Sequence, residues 1–367
     1  MLNKLYLMGE SGAGKTTIAL SFALHLQEKG LQVAYFKPKT ASRHLPLNQD
    51  ADAYLMKRTL ELPWETEQIA PLNFESIYIF GPSEHIQSSA REMAGKLEKN
   101  LHEISSNSEL VLIEGGKYPG DCFSLSLDDL SLAIKWQTPV ILVSELKKDT
   151  DLDRLLFYNN LMQSRGVFLL GNIFNNIPQT ILNKAREVYR PLMEEKGCRL
   201  LGIIPSQPMF TFPTVAEFCE ALRGEILTGE EHLDLPVEEI VIGTMTIEGA
   251  LSYLRRAINK AVITGGDRSD MALTALETSI SALILTGGLY PDIRVITRAR
   301  ERNVPVLLVQ CDTYTTIGLL QGIVRQIRPD DAQTIALFKE EVIRHCPWEK
   351  IVAEANAQEG YFPTKEK

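Results

Sequence analysis

The chain has 367 residues, 44% apolar and 23% charged, with a formal net charge of −9, which suggests two or three globular domains. Dispersed Lys and Arg on an acidic chain argue against nonspecific nucleic-acid binding. Five scattered cysteines without a C-x-x-C pair argue against a disulfide framework or zinc site and for free thiols in a reducing cytoplasm. No apolar stretch has the length of a membrane span, and the first strand begins at once, so neither a membrane nor a secretory leader is expected.

The first apolar run, Leu5–Met8, reads as a strand. It leads into Gly9-Glu10-Ser11-Gly12-Ala13-Gly14-Lys15-Thr16, a complete G-x-x-x-x-G-K-[ST] phosphate-binding loop, and a helical pattern then runs from Thr17 to Lys29. Strand–loop–helix is the context the motif requires. The glycines let backbone N–H groups turn toward a phosphate, and the helix N-terminus adds partial positive charge. Lys15 would reach the β/γ-phosphates and Thr16 would place its hydroxyl on Mg²⁺. ATP and Mg²⁺ are therefore the expected cofactors.

Further strands are expected at Val33–Phe36, Leu110–Ile113, Val140–Val143, Val167–Ile173 and Leu200–Ile204. Each is short, several are apolar throughout, and helical stretches separate them. This is the pattern of an α/β domain with a parallel, doubly wound sheet. Ligands gather at the carboxyl ends of such strands. After the second strand comes Lys37-Pro38-Lys39-Thr40, whose ammonium groups could neutralise a transferring phosphate or form a solvated basic turn. Asp50 and Asp52 follow the loop at residues 45–49; either could be a Mg²⁺ ligand or the N-cap of the next helix. Glu114, followed by Gly115-Gly116, ends the third strand where a Walker-B carboxylate would stand. Asn175 ends the fifth strand, suited to a purine edge or to a plain turn, and Pro205 ends the sixth as a wall of the same pocket.

The first domain is expected over residues 1–222, with a polar, turn-rich linker over 223–236. A smaller α/β domain over 237–345 would carry strands at Ile240–Ile242, Ala261–Ile263, Ala282–Leu285 and Val306–Val309, followed by a terminal helix and polar tail over 346–367. Its two central strands end alike, in Thr264-Gly265-Gly266-Asp267-Arg268 and Thr286-Gly287-Gly288. These are either a ligand site or two tight turns. Ser269 or Asp270 could cap the helix that follows, and Arg268 could clamp an anion or pair with Asp267 or Asp292.

Taken together, Gly9–Thr17, Lys37-Pro38, Asp52-Ala53, Glu114-Gly115-Gly116 and Asn175 resemble the dethiobiotin-synthetase-like P-loop domain in order and strand position. The segments Ile263–Asp270 and Leu285–Asp292 resemble the two signatures of the DRTGG domain. The pairing is similar to the regulatory N-terminal half of long bacterial phosphotransacetylases. The resemblance implies a triphosphate held by the loop (Gly9, Ser11, Gly12, Ala13, Gly14, Lys15, Thr16, Thr17) and by Lys37. It implies Mg²⁺ on Thr16, Asp52 and Glu114, adenine at Asn175, and a homodimer.

Two departures bear on function. The chain ends before an acetyltransferase domain, so acetyl-transfer chemistry is not expected. Glu10 stands where dethiobiotin synthetases usually have Thr, either turned to solvent or repelling an acidic substrate. The expected function is an ATP-binding regulator of central or acetate metabolism, acting with a metabolite or an enzyme such as an acetyltransferase. The alternative is an ATP-dependent ligase that activates a carboxylate or carbamate. A ParA-like switch is disfavoured, because Glu10 and Ser11 stand where its second lysine would be.

Overall fold

The structure, a computed structural model, describes residues 3–40, 50–73, 83–207, 212–243, 245–256, 258–321, 323 and 327–357. The loop expected at residues 45–49 and the tail beyond residue 357 lie outside the described residues. The chain forms two compact units, Met1–Ser206 with Ile327–Lys367, and Gln207–Gln326.

In the first unit the apolar runs become six parallel strands: β1 (Lys4–Met8), β2 (Val33–Phe36), β5 (Leu110–Glu114), β6 (Val140–Glu145), β7 (Leu169–Ile177) and β8 (Leu200–Pro205). Their order is β2-β5-β1-β6-β7-β8. Every residue of β2 and β5 is buried, so both faces of the sheet are covered. The helices are α1 (Lys15–Glu28), α2 (Ala51–Thr59), α3 (Thr66–Ile69), α4 (Ser83–Ser106), α5 (Asp129–Lys135), α6 (Asp149–Ser164), α7 (Gln179–Lys184) and α8 (Arg190–Glu195). From β1 the chain passes beyond β5 to β2, whereas from β5 it crosses back over β1 to β6. The connections leaving the neighbouring strands β1 and β6 run in opposite directions along the sheet, a switch point at whose strand carboxyl ends ligands gather. Two further strands, β3 (Lys39–Thr40) and β4 (Leu72–Asn73), pair in parallel; at two residues each they leave no periodicity in the sequence.

The second unit is also α/β. Its sheet has the order β10 (Glu239–Ile242), β11 (Lys260–Gly265), β12 (Ile280–Thr286), β13 (Val306–Leu308) and β9 (Glu225–Thr228), with only β9 antiparallel to its neighbour. Along the strands alternate residues feed two cores. Ala261, Ile263, Ala282 and Ile284 meet α9 (Val215–Leu222) and α13 (Thr313–Leu320). Val262, Leu283 and Leu285 meet α10 (Ile247–Leu254), α11 (Ser269–Leu276) and α12 (Ile293–Arg302).

The segment expected as a linker is thus part of this unit, and so is α9, which sequence order assigned to the first domain. Its polarity reflects an edge strand that is only partly buried.

The last helices, α14 (Ala332–His345) and α15 (Trp348–Ala357), belong with the first unit, although α14 was expected at the end of the second domain. Ile335, Val342 and Cys346 join the first unit's core. Trp348, expected to begin a polar tail, is instead buried and stacks on Phe22 of α1, with ring centroids 3.7 Å apart. Among the described residues no helix is long and apolar enough to cross a membrane.

Candidate functional site

The phosphate-loop motif fills the connection from β1 to α1, next to the carboxyl end of β5, whose Glu114 is the register partner of Leu7. Gly14 has φ +82°, a left-handed conformation that favours glycine, and a Cβ there would lie 2.2 Å from Nδ2 of Asn175. Gly14 is also the N-cap of α1 and supplies no side-chain cap, so the first N–H groups of the helix face the loop without one. Ala13 and Lys15 are buried, Ser11 and Gly12 are exposed, and Thr16 and Thr17 form the first turn of α1. Nζ of Lys15 donates to the carbonyls of Gly9 and Glu10, both at 2.9 Å. Burial pulls this ammonium below its ordinary value.

Glu114, at the end of β5, comes to the same place. It accepts the Thr16 hydroxyl at 2.9 Å and the Tyr35 hydroxyl at 2.8 Å. Burial pushes its carboxyl up to about 7, against the opposing pull of Lys37 and Lys15. Tyr35 was not legible as a site residue: within β2 it reads only as one more apolar strand position.

Lys37, just past β2, pairs with both aspartates that the sequence offered. Asp50 lies 3.1 Å away, and Asp52 makes the second ion pair. Burial alone would lower the Lys37 ammonium, but the carboxylates of Asp52 and Asp50 hold it above its ordinary value. Of the roles left open for the two aspartates, the structure shows the helix cap. Asp50 is buried and caps α2 by accepting the Ala53 N–H at 2.9 Å. Asp52 sits in the first turn of α2 with its side chain 37% exposed. Lys39 does not face this cluster. It is buried in an ion pair with Asp129 at 2.8 Å.

Glu10 lies toward α6 and neither points freely to solvent nor faces the loop. It pairs with Arg154 at 3.2 Å and accepts the Tyr158 hydroxyl at 3.4 Å. Beside it is a cavity of about 440 Å³ lined by Glu10, Ser11, Ser144, Lys148, Arg154 and Tyr158, among others. Asn175 points its amide at the loop, donating to the Ala13 carbonyl at 2.8 Å, where the resemblance implied an adenine contact. Pro205 ends β8 opposite Ile177 of β7.

In the second unit, Gly265 and Thr286 are register partners, so the paired Thr-Gly-Gly turns are neighbours on one sheet edge. A Cβ on Gly266 would lie 1.8 Å from the Leu289 carbonyl oxygen, so this glycine is required by the close approach of the two turns. Gly287 and Gly288 take positive φ, +84° and +66°. The Thr286 hydroxyl lies 2.9 Å from that of Thr313. Arg268 pairs with Asp270 at 3.1 Å, not with Asp267 or Asp292; Asp292 instead pairs with Arg294 and caps α12. Neither Ser269 nor Asp270 caps α11, whose N-cap position is Arg268 without a side-chain bond.

Comparison with known proteins divides the chain along similar lines. A protein-family model described as AAA domain matches residues 3–214, and one described as DRTGG domain matches residues 217–323. A phosphate acetyltransferase of Nitratidesulfovibrio vulgaris is 24% identical over 366 residues, covering 93% of this chain and 51% of that protein. A phosphate acetyltransferase of Haemophilus influenzae is 20% identical over 377 residues, covering 91% and 50%. The chain therefore spans about half the length of these curated relatives. Among solved structures, cobyrinic acid a,c-diamide synthase from Mycobacterium smegmatis with bound ADP and magnesium is 16% identical and covers 56% of this chain and 88% of that one, with a TM-score of 0.38.

Proposed function

The chain belongs to the AAA domain family through residues 3–214, and on that premise we propose that its first unit binds Mg·ATP in the service of regulation. The observation that carries this reading is convergence. Lys15, Thr16, Lys37, Asp52 and Glu114 come from four separate segments, and the charges of Lys37, Asp52 and Lys15 all act on Glu114.

The donor set fits the cofactor. The uncapped N-terminus of α1 and a buried ammonium hydrogen-bonded to neutral carbonyls suit a polyphosphate. Among the described residues no three His, Cys, Asp or Glu side chains form a metal site of their own. A Mg²⁺ ion, which takes one or two carboxylates plus phosphate oxygens, suits Thr16 with Glu114 or Asp52. Bound Mg²⁺ would supply charge neutralisation. The chain's own part is to hold the phosphates with Lys15 and the loop N–H groups, and to place Lys37 beside them.

The regulatory role draws its support from the DRTGG match and from the acetyltransferase relatives. ATP would bias one of two states of the chain, and a metabolite or an enzyme of the acetyltransferase kind in the cytoplasm would read the difference. One observation favours a ligase as a second reading: the cavity beside the loop gives room for another small molecule next to Ser11. In that case a substrate carboxylate or carbamate would attack the γ-phosphorus, forming an acyl phosphate as the bond to the β–γ bridging oxygen breaks and ADP leaves.

Titration of ATP with and without Mg²⁺ tests the site. Lys15→Ala should weaken binding thirty- to a hundredfold, the loss of a charged contact of about 2–3 kcal/mol. Equal affinity in the two proteins would sink the assignment. Strong stimulation of ADP release by a particular small carboxylic acid would favour the ligase over the regulator.

A further inference from the structure

Asp129, on the first turn of α5, is a completely buried carboxylate whose charge also acts on Lys15 of the phosphate loop. Three donors from three distant segments meet on it. The Tyr6 hydroxyl (2.9 Å) and the Lys39 ammonium (2.8 Å) reach Oδ1, and the Gly116 backbone N–H reaches Oδ2 at 3.1 Å. Each donor belongs to a segment that carries the site. Tyr6 lies on β1, which runs into the phosphate loop. Lys39 stands two residues after Lys37, and Gly116 two residues after Glu114.

The surroundings are built around this group. The Asp129 N–H donates to the Pro119 carbonyl at 3.0 Å, and Lys39 also donates to the Asp121 carbonyl at 3.0 Å. The loop after Glu114 therefore closes over the ion pair. At Gly115 a Cβ would lie 2.5 Å from Oδ2 of Asp129, so the turn sits directly on the carboxylate. An apolar replacement of a buried ion pair is often at least as stable as the pair itself. Stability alone is thus a weak reason for this arrangement. Three donors converging on two oxygens require an acceptor-only group, which an amide cannot be.

We infer that Asp129 is a positioning residue: through Tyr6, Lys39 and Gly116 it fixes the phosphate loop, Lys37 and Glu114 relative to one another. The inference rests on the Mg·ATP reading. Its distinctive consequence is for the metal rather than for the phosphates. The loop N–H groups and Lys15, which would hold the phosphates, belong to one continuous segment, whereas the Mg²⁺ contribution requires Glu114, from another strand, at a fixed place beside them. Groups that orient a metal ligand typically change metal affinity ten- to a hundredfold when removed.

The experiment measures ATP affinity with and without Mg²⁺ in the full chain. Asp129→Asn turns an amide donor toward one of the three donors. The Mg²⁺ enhancement of ATP binding should fall about tenfold, while Mg²⁺-free affinity changes less than twofold. Met193→Ala, a core truncation on α8, serves as a destabilised control and should keep the full enhancement. If Asp129→Asn does not fold, Tyr6→Phe carries the test, with an expected loss of about threefold in enhancement. Full enhancement in a folded Asp129→Asn, or in Tyr6→Phe where that variant carries the test, overturns the inference alone. An equal loss in Met193→Ala also overturns it, since the effect then follows stability. No Mg²⁺-dependent ATP binding by the unaltered chain overturns the functional reading and the inference with it.

Discussion

At the carboxyl ends of its strands the first unit buries Lys15, Lys37, Lys39, Asp50 and Glu114, and Asp129 lies buried among them. Among the described residues, the second unit buries at the same end of its sheet Thr264, Thr286 and, on α13, Thr316, but no charged side chain. Its charges, Arg268 with Asp270 and Arg294 with Asp292, stay outside in pairs of sequence neighbours. Both units are built mainly from parallel strands, with glycine-bearing turns at the ends of the central ones, so architecture does not explain the difference. Taking charges out of water costs several kcal/mol per ion before any pairing. The second unit shows that this kind of edge can be closed without that cost. The buried charges of the first unit therefore need a reason beyond folding, and anion and metal binding supplies one.

The largest expected effect that would sharpen this contrast lies in the second unit. Gly266→Ala forces a Cβ against the Leu289 carbonyl, and backbone must move to admit it. We expect a loss of about 3 kcal/mol in that unit's stability, with ATP affinity unchanged. Thermal unfolding together with ATP titration checks both halves. A stable Gly266→Ala variant would mean that the two turns separate easily. The glycine would then need another explanation, such as a ligand.

The strands of both units were legible because parallel strands covered on both faces are short apolar runs between helical stretches. The phosphate loop was legible because its chemistry is local: eight consecutive residues bring their own backbone to the phosphate. Lys37 and Glu114 could be found by the strand-end rule. Tyr35 and Asp129 could not. Each acts through a partner far away in sequence, Glu114 for the first and Tyr6, Lys39 and Gly116 for the second. Asn175 was read as a purine contact or a plain turn, and its amide braces the loop through the Ala13 carbonyl; a strand-end asparagine reads alike in each of these tasks. The polar segment after Leu222 misled for a related reason: an edge strand is partly solvated, so its composition resembles a linker.

A smaller effect concerns pH and Glu114. Its carboxyl is pushed up to about 7 in the folded chain, against an ordinary value of 4.5. Between those values the folded state binds the proton more readily than the unfolded state. Stability from this group is therefore present below about pH 4.5 and is lost as pH rises through 7. Glu114→Gln, which stays neutral, removes that dependence. The unaltered chain should lose thermal stability relative to Glu114→Gln between pH 5 and pH 8. A constant difference across that range would show that Glu114 is ionised in the fold throughout.

The smallest effect belongs to the exposed charges of the second unit, and it decides how literally the contrast should be taken. Arg268 and Asp270 are two residues apart, partly exposed and hydrogen-bonded to each other. Solvent screens such a pair, and holding two long side chains together offsets most of what it gains. If the pair is only a surface contact, Arg268→Ala should leave thermal unfolding and ATP affinity where they were. It should do so at low and high salt alike, because there is little attraction for salt to screen. A fall in stability that disappears in salt would make the pair part of a wider charge network. If the variant loses affinity for a metabolite or nucleotide, measured by calorimetry, Arg268 would be a ligand group. The second strand-end edge would then bind as the first is proposed to do, with exposed charges in place of buried ones.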